Sequence, residues 1–536
     1  MKLIKRFKYE ILAVFFFVLI RVPNLGRDIF NTDAWKWKTR TYDFNTGVFT
    51  LDFEKTYQKY HPGVTLMWVG SAGVKIQNFY HKVILNDPGE ELLNIFELHF
   101  IQKLLVVTVI GTSLAFCFYV LRSLFGLQFA TLSTFLLSFE PFYLALTRVF
   151  HLEGLVSTFM LASVLWLFYY LFDTTFRKRL VVSAIFAGFS FLTKTSSIYL
   201  LPFTLLVVFL NTYSKDDVWN SFKSTILIVL KWFGISLLIF VALWPALWVT
   251  PLDVILELYR GIAVIGVERE HIQVYFSKLV KNPGPTFYPV VLALKSFVFL
   301  LPGLLGTLAF LKGFDEKKKR FVKFLLIYSF FYFLQLTIPS KKLDRYILPA
   351  LMSFSLVSTM FYYWVLGRLK KGRKFLLVFI IVTPILTAIS IHPDYLSYHN
   401  PLFGGLETGI KVLEPKWMIG TSEIVSYFEE IREDENWEKP SSDTSLEALI
   451  GSERVERVLV VGLPEKYYTQ IWPFLREKNI WPAIKDLTAF AKHAKYFIYP
   501  VWQDSSSFED RFEIEYLGSI KKDGVDLYNV YKRIYR

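Results

Sequence analysis

The chain has one cysteine in 536 residues, and only 20% of its residues are charged. The lone thiol, Cys117, excludes an intrachain disulfide framework and a cysteine-ligated zinc site. Soluble domains carry about 25% charged residues. The shortfall, with 53% hydrophobic residues and a mean hydropathy of +0.38, excludes a soluble cytosolic enzyme, a disordered chain and a fibrous repeat. The sequence also lacks a Walker loop, a dinucleotide-binding glycine fingerprint, a zinc-type histidine pair and a Gly-x-Ser-x-Gly elbow. There is no internal repeat and no low-complexity tract. Acid is in deficit: 46 Asp and Glu against 60 Lys and Arg leave a net charge of +14. On a soluble protein that excess would point to nucleic acid. On a membrane protein it reflects basic cytoplasmic loops.

What is abundant is apolar sequence in long runs. A bilayer span takes about 20 such residues, and about eleven runs qualify. They are Ile11–Val22, Phe100–Val120, Leu127–Leu146, Leu155–Phe172, Leu180–Leu192, Ile198–Leu210, Ile226–Leu247, Tyr288–Leu311, Phe321–Ile338, Ile347–Leu366 and Phe375–Ile391. The first resembles a signal peptide, but Arg21-Val22-Pro23 stands where a small-residue cleavage site would be, so it reads as a retained anchor. With the N-terminus placed in the cytoplasm, the inner segments hold about 20 Lys and Arg and the short outer loops about five. The expected protein is therefore an α-helical polytopic membrane protein of the plasma membrane, with residues 1–391 as the membrane domain.

Three long segments fall on the outer side of this topology: 23–99, 251–286 and everything from His392 onward. In the first, Val64–Tyr80 is amphipathic and predicts a helix lying along the membrane surface. Residues 392–536 predict an extracytoplasmic α/β domain. Its expected elements are a strand at Arg457–Gly462, a helix at Tyr467–Lys478, a strand at Ala494–Val501, and a hairpin from Phe512–Ser519 and Asp526–Lys532.

Polar residues that do more than solubilise a loop concentrate on that outer face. Asp33 lies just beyond the first span, in Asn31-Thr32-Asp33-Ala34-Trp35. It reads as a general base, or as part of a helix N-cap with Thr32. Arg40 follows on the same predicted helix. His61-Pro62-Gly63 precedes the amphipathic stretch and reads as an anion-binding helix start or as a plain turn and cap. Arg148, His151 and Glu153 put a cation, an imidazole and an acid within six residues at a membrane mouth. That pattern suits a functional site or a local ion pair. Lys194 ends the fifth run and suits phosphate binding or snorkelling. Lys295 sits inside the eighth run, where it needs a cavity or an acidic partner. Lys341, Lys342, Asp344, Arg345 and Tyr346 break the positive-inside trend, which suggests anion binding. Carboxylates and clustered cations on one face, with no metal motif, suit displacement at a phosphate-activated carbon.

Taken together these residues resemble the GT-C glycosyltransferases, specifically the protein O-mannosyltransferase and aminoarabinose transferase superfamily. The resemblance runs from about Val22 to Gly420 and rests on the order of its pieces. These are Asp33 with Trp35 and Arg40, His61-Pro62-Gly63-Val64-Thr65, Arg148…His151…Glu153, Lys194, Trp244-Pro245-Ala246, and Pro283-Gly284…Phe287-Tyr288-Pro289. Lys341-Lys342…Asp344-Arg345-Tyr346…Pro349 and His392-Pro393-Asp394-Tyr395…Tyr398…Asn400-Pro401…Gly404-Gly405 complete the set. The chain departs from the family in having Ala34 after the first acid, Glu153 where aspartate is common, and Met418–Glu423 where relatives show Gly-Trp-Gly-Glu-Gly.

The resemblance implies inverting transfer of a sugar from a polyprenyl-phosphate donor to a protein, lipid or glycan acceptor. It implies Asp33 as catalytic base and Glu153 as second catalytic acid. Substrate-binding candidates are Arg40, His61, Arg148, His151, Lys194, Lys341, Lys342, Asp344, Arg345 and Tyr346. No metal ligand set is expected, although a divalent cation bridging Asp33 to the phosphate stays open. The expected partners are the lipid-linked donor, the acceptor and membrane lipids, with no nucleic acid. Two further readings remain: a transporter or lipid flippase, and an inactive scaffold suggested by Ala34.

Overall fold

The computed structural model describes residues 6–87, 89, 91–265, 272–440, 453–484, 492–503 and 513–534. It is mostly helical. In chain order the first helices are α1 (Lys8–Leu19), α2 (Thr32–Phe49), α3 (Val64–Phe79), α4 (Glu91–Phe125), α5 (Leu127–Ser138) and α6 (Pro141–Thr147). Next come α7 (Leu152–Phe172), α8 (Arg177–Thr193), α9 (Leu200–Thr212), α10 (Val218–Ala242) and α11 (Pro251–Arg260). A small hairpin of β1 (Gln273–Tyr275) and β2 (Lys278–Val280) precedes α12 (Phe287–Lys295) and α13 (Leu300–Ala309). The long helices α14 (Glu316–Thr337), α15 (Leu348–Arg368) and α16 (Arg373–Ser390) complete the bundle.

Among the described residues seven helices are long and apolar enough to cross a membrane, or nine if each of two bent pairs is one span. The bent pairs are α5 with α6, at 70°, and α12 with α13, at 111°. Of the eleven expected spans, the first and fifth runs fold as helices of 12 and 17 residues and are not among those counted. Helix α8 nonetheless runs from the Arg179 end of the bundle to Lys194, which meets Glu153 at the other end.

The two breaks meet. Glu140, between α5 and α6, accepts a 2.9 Å hydrogen bond from the backbone N–H of Phe297, between α12 and α13. Lys295 is held there too, donating to the carbonyls of Leu396 and Tyr398 at 3.1 and 3.3 Å. The unusual intramembrane lysine therefore satisfies backbone groups of the segment that follows the last span.

Helix α7 carries apolar residues around its whole circumference and is the centre of the bundle, with 19 of its 21 residues buried. Its first turn carries Glu153, so that carboxylate is fixed at the middle of one end. Helices α10 and α16 expose apolar side chains such as Leu230, Leu238, Phe375 and Leu386, as lipid-facing helices do. At the end opposite Glu153 the basic residues cap helix C-termini. Arg320 donates to the Leu171 carbonyl at 3.0 Å and Arg179 to that of Tyr169 at 3.1 Å. A cation there finds unpaired carbonyls and the negative end of the dipole.

The amphipathic stretch Val64–Tyr80 folds as α3 and turns its buried face to the bundle. Helix α3 packs against α2, α4 and α8 and buries Leu66, Met67, Gly70, Gly73 and Val74. Its glycines are what allow this: a Cβ at Gly70 would stand 2.7 Å from Thr41, and one at Gly73 2.7 Å from Gln102. Its other face exposes Ile76 and Phe79, and its continuation, Tyr80–Leu85, exposes Val83, Ile84 and Leu85.

The C-terminal region contains α17 (Gly405–Val412), α18 (Thr421–Asp434), β3 (Val460–Leu463), α19 (Glu465–Glu477), β4 (Trp481–Ile484), β5 (Tyr496–Pro500), β6 (Ile514–Lys522) and β7 (Val525–Arg533). The sheet order is β4-β3-β5-β7-β6, parallel among the first three strands and antiparallel for β7 and β6. Strand β4 and helices α17 and α18 are elements the sequence reading missed. Part of the expected hairpin, at Phe512, lies outside the described residues. The α/β core is built from Ile410, Met418, Ile419, Ile424, Val461, Ile471 and Ile498. Tyr395, Tyr398, Leu413 and Trp417 instead pack in the clusters of the membrane part. By packing, residues 392–417 are thus shared between the two halves.

Candidate active site

Asp33 occupies the first turn of α2, where a carboxylate is favoured by the helix dipole. It does not cap the helix. Asn31 does, accepting a 2.6 Å hydrogen bond from the Ala34 N–H. That leaves the Asp33 carboxylate free to face the bundle. His151 immediately precedes α7 and Glu153 lies in its first turn. Lys194 follows α8, and Arg345 lies in the short turn before α15.

These five side chains converge. His151 bridges the two carboxylates: its Nε2 is 3.5 Å from Asp33 Oδ2, and its Nδ1 contacts Glu153 Oε2. Lys194 Nζ donates to Glu153 Oε1 at 2.7 Å. Arg345 donates to Asp33 Oδ2 at 3.2 Å, while its Nε stands 3.5 Å from Glu153 Oε1 without a hydrogen bond. Glu153 is almost fully enclosed, with 3% of its side chain exposed against 27% for Asp33. Asp33 is the carboxylate a reactant can reach.

Aromatic rings wall the cluster. The Lys194 ammonium lies 4.0 Å from the Tyr346 ring centre, and the Arg345 guanidinium 4.7 Å from that of Trp417. Trp417 also meets His151 edge-on at 5.3 Å. Glu414 steadies the Trp417 segment by accepting from Lys466 at 2.6 Å and Lys416 at 3.0 Å. Nearby, the Trp35 indole donates to the Thr469 carbonyl at 2.6 Å, which docks α19 beside the start of α2.

The electrostatics follow from burial and pairing. Burial raises the pKa of Asp33, but the hydrogen bond and charge of His151, then Arg345, outweigh it and hold the carboxyl well below the usual range. Burial lowers that of His151, yet the flanking Glu153 and Asp33 carboxylates reverse the effect, so the imidazolium is favoured. Two carboxylates then face Lys194, Arg345 and the favoured imidazolium, so with His151 protonated the cluster carries a net charge of about +1.

The remaining candidates sit around this centre. His61-Pro62-Gly63 is a clamp on the Lys194 turn: the Gly63 N–H donates to the Thr193 carbonyl at 3.0 Å, and His61 Nδ1 is 2.9 Å from Thr195 Oγ1. Burial, then the Lys194 charge, push the His61 pKa well down, so its ring is neutral. Gly63 has φ 63° and sits against Trp37, whose ring a Cβ would strike at 2.1 Å. Arg40 lies on the Asp33 face of α2, 4.6 Å from the Trp37 ring centre. Asp344 accepts from the Arg345 N–H at 2.7 Å. Lys341 interacts electrostatically with His61 and Tyr346 at the edge of the cluster.

Two predicted cations point elsewhere. Lys342 is buried and donates to the carbonyls of Thr337 and Pro339 at 2.8 and 2.5 Å, closing the end of α14. Arg148 binds Asp28 at 2.8 and 3.0 Å and the carbonyls of Arg21 and Pro23 at 2.5 and 2.7 Å. Lys103 also pairs with Asp28. This second, closed charge cluster pins the chain between α1 and α2, and so places Asp33. Asp28, Asn31 and Trp417 are the contributors that sequence reasoning missed. An Asn three residues before a helical Ala is a detectable cap signal; Trp417 and Asp28 have no local signal, because their partners are 72 or more residues away.

Within this cluster His151 stands between the two carboxylates, and among the described residues no group of three or more His, Cys, Asp or Glu is arranged to hold a metal ion.

No protein-family model matches the chain, and no curated protein matches it in sequence. Among solved structures it is similar to ArnT from Cupriavidus metallidurans. The apo form aligns at TM-score 0.47 and 12% identity, and the form bound to undecaprenyl phosphate at 0.48 and 12%, each covering 98% of both chains. It is also similar to the Archaeoglobus fulgidus oligosaccharyltransferase in the apo form, at TM-score 0.44 and 13% identity, covering 97% of this chain and 74% of that one. At such identities these likenesses carry no residue-level assignment.

Proposed function

We propose that this chain is an inverting glycosyltransferase of the plasma membrane. It moves a sugar from a polyprenyl-phosphate donor to an acceptor hydroxyl at the extracytoplasmic face, with the C-terminal unit positioning the acceptor. The observation that supports this most is the charge arrangement around Asp33: one reachable carboxylate beside Lys194, Arg345 and His151, with an excess of one positive charge.

The reaction uses these groups as follows. The acceptor oxygen attacks the anomeric carbon and its proton passes to Asp33. The bond from that carbon to the phosphate oxygen breaks, and its electron pair stays on the phosphate. The carrier phosphate thereby goes from one negative charge to two. Cations held in place stabilise the second charge as it develops, so they act more on the transition state than on the bound donor. A phosphate leaving group of this kind needs no general acid.

Before donor binds, Arg345 is hydrogen-bonded to Asp33 and weakens it as a base. A phosphate that draws Arg345 away restores the basicity of Asp33. Glu153, enclosed by His151, Lys194 and Arg345, acts as the counter-ion that orients the cations. Arg148 and Lys342, whose donors are spent on Asp28 and on carbonyls, serve as positioning residues.

The test is transfer by purified protein from undecaprenyl-phosphate sugars to separate pools of peptide, lipid and glycan, with product stereochemistry read by NMR. Inverted product in one pool supports the proposal and names the acceptor class. Retained configuration, or no transfer from any polyprenyl-phosphate sugar to any pool, overturns it.

A further inference from the structure

Far from the Asp33 cluster lies an apolar cavity of about 1010 Å³, between α5, α15 and α16. Its walls include Leu132, Leu377 and Ile381, and its mouth is set by Lys318, Arg368 and Arg373. Helix α15 gives the separation. Arg345 precedes its start and Arg368 ends it, so at 1.5 Å per residue the two sites stand about 35 Å apart, at opposite ends of the bundle.

The cations at the mouth are underused. Lys318 pairs with Asp315 at 2.5 Å. Arg368 rests over the Trp364 ring at 4.1 Å and makes one long, 3.4 Å, hydrogen bond to the Gly313 carbonyl. Among the described residues neither Arg368 nor Arg373 has an acidic partner. The groove is not closed by packing either: a Cβ at Gly367, on its wall, would meet nothing within 4 Å. Two unpaired guanidiniums above an apolar trough match the two halves of one ligand class, an anionic headgroup on acyl chains. Basic pockets between membrane helices hold such lipids, and arginine's planar fork suits a phosphodiester.

We propose that this groove binds an anionic glycerophospholipid of the leaflet opposite the Asp33 cluster. Its phosphate is held by Arg368 and Arg373 and its acyl chains lie along α5 and α16. This site stands independently of the transferase reading, since it needs only a bilayer.

The experiment is native mass spectrometry of the full-length protein released from nanodiscs made of equal phosphatidylglycerol and phosphatidylcholine. The wild type should retain phosphatidylglycerol at least tenfold over phosphatidylcholine. R368Q/R373Q should bring that ratio to within about twofold of unity, and G367L, which fills the trough from a position with room for a side chain, should lower retention of both lipids. All three residues are solvent-exposed, and unchanged thermal unfolding would show that the variants fold. Equal retention by the wild type, or an unchanged ratio in the double variant, overturns the proposal. So does displacement of phosphatidylglycerol from the wild type by stoichiometric undecaprenyl phosphate, which would make the groove a donor site.

Discussion

Replacing Arg345 with glutamine should weaken binding of the carrier phosphate by about one to two orders of magnitude. Arg345 is 12% exposed, hydrogen-bonded to Asp33 at 3.2 Å, and has a buried Nε that makes no hydrogen bond. A hydrogen bond to a charged group contributes about 1.5–3 kcal/mol, which converts to a factor of about 10–150 in Kd. The substitution also takes the cluster from about +1 to neutral. The assay is equilibrium binding of radiolabelled undecaprenyl phosphate to detergent-solubilised protein, with R345K as the variant that keeps the charge. R345K should recover part of the loss, because lysine supplies a point charge without the fork. The control is K342Q, which should bind normally in whatever fraction folds, since Lys342 spends its donors on Thr337 and Pro339. A Kd for R345Q within threefold of the wild type would refute the phosphate role of Arg345.

Three further outcomes follow from the same geometry. Arg148→Ala leaves Asp28 paired with Lys103 but strips the Arg21 and Pro23 carbonyls of their buried donor, which should cost about 1–3 kcal/mol for each group left unsatisfied; thermal unfolding should show it, and an unchanged Tm would remove the closed cluster from the account. Gly63→Ala forces a side chain into the left-handed region and against Trp37, at a cost of about 2–4 kcal/mol, and transfer should fall because the clamp on Lys194 loosens; a fully active, stable G63A would contradict the clamp. The pH dependence has two signs. His151, raised above its ordinary 6.5, contributes ion-pair stability fully present below that value and lost as pH rises through its folded pKa. Asp33, lowered below its ordinary 3.8, contributes stability present above that value and lost only on deep acidification. The carrier phosphate's own second ionisation, at about pH 6, changes Kd in any variant; beyond that shared change, wild-type Kd should rise relative to that of H151Q as pH rises through the folded pKa of His151, and a wild-type profile parallel to that of H151Q would refute the imidazolium.

Much of the membrane architecture was legible because apolar runs and turn residues act locally. The two bent spans were not, since a run such as Leu127–Leu146 reads the same whether straight or broken at Glu140-Pro141. The break becomes stable only because Glu140 finds the Phe297 N–H, 157 residues away. In the same way, Asp33, His151, Glu153, Lys194 and Arg345 could be nominated from their shared face, and the structure brings them into one cluster. Arg148 looked equivalent to Arg345 in sequence. What separates them is Asp28, a partner that no spacing rule connects to residue 148. Glu153 likewise could not be told from Asp33 by type. Only the central placement of α7 distinguishes the enclosed carboxylate from the reachable one.

The central claim, that Asp33 takes the acceptor proton, is tested most directly by Asp33→Asn, measured for both carrier-phosphate binding and single-turnover sugar transfer. Asparagine keeps the size of the side chain but removes the base and the partner charge of Arg345. The account predicts undecaprenyl-phosphate binding equal to or tighter than the wild type, with transfer reduced by at least 10²-fold, the low end of what a positioned base contributes. Wild-type transfer by D33N, or a loss of transfer that merely tracks a loss of binding, would contradict it.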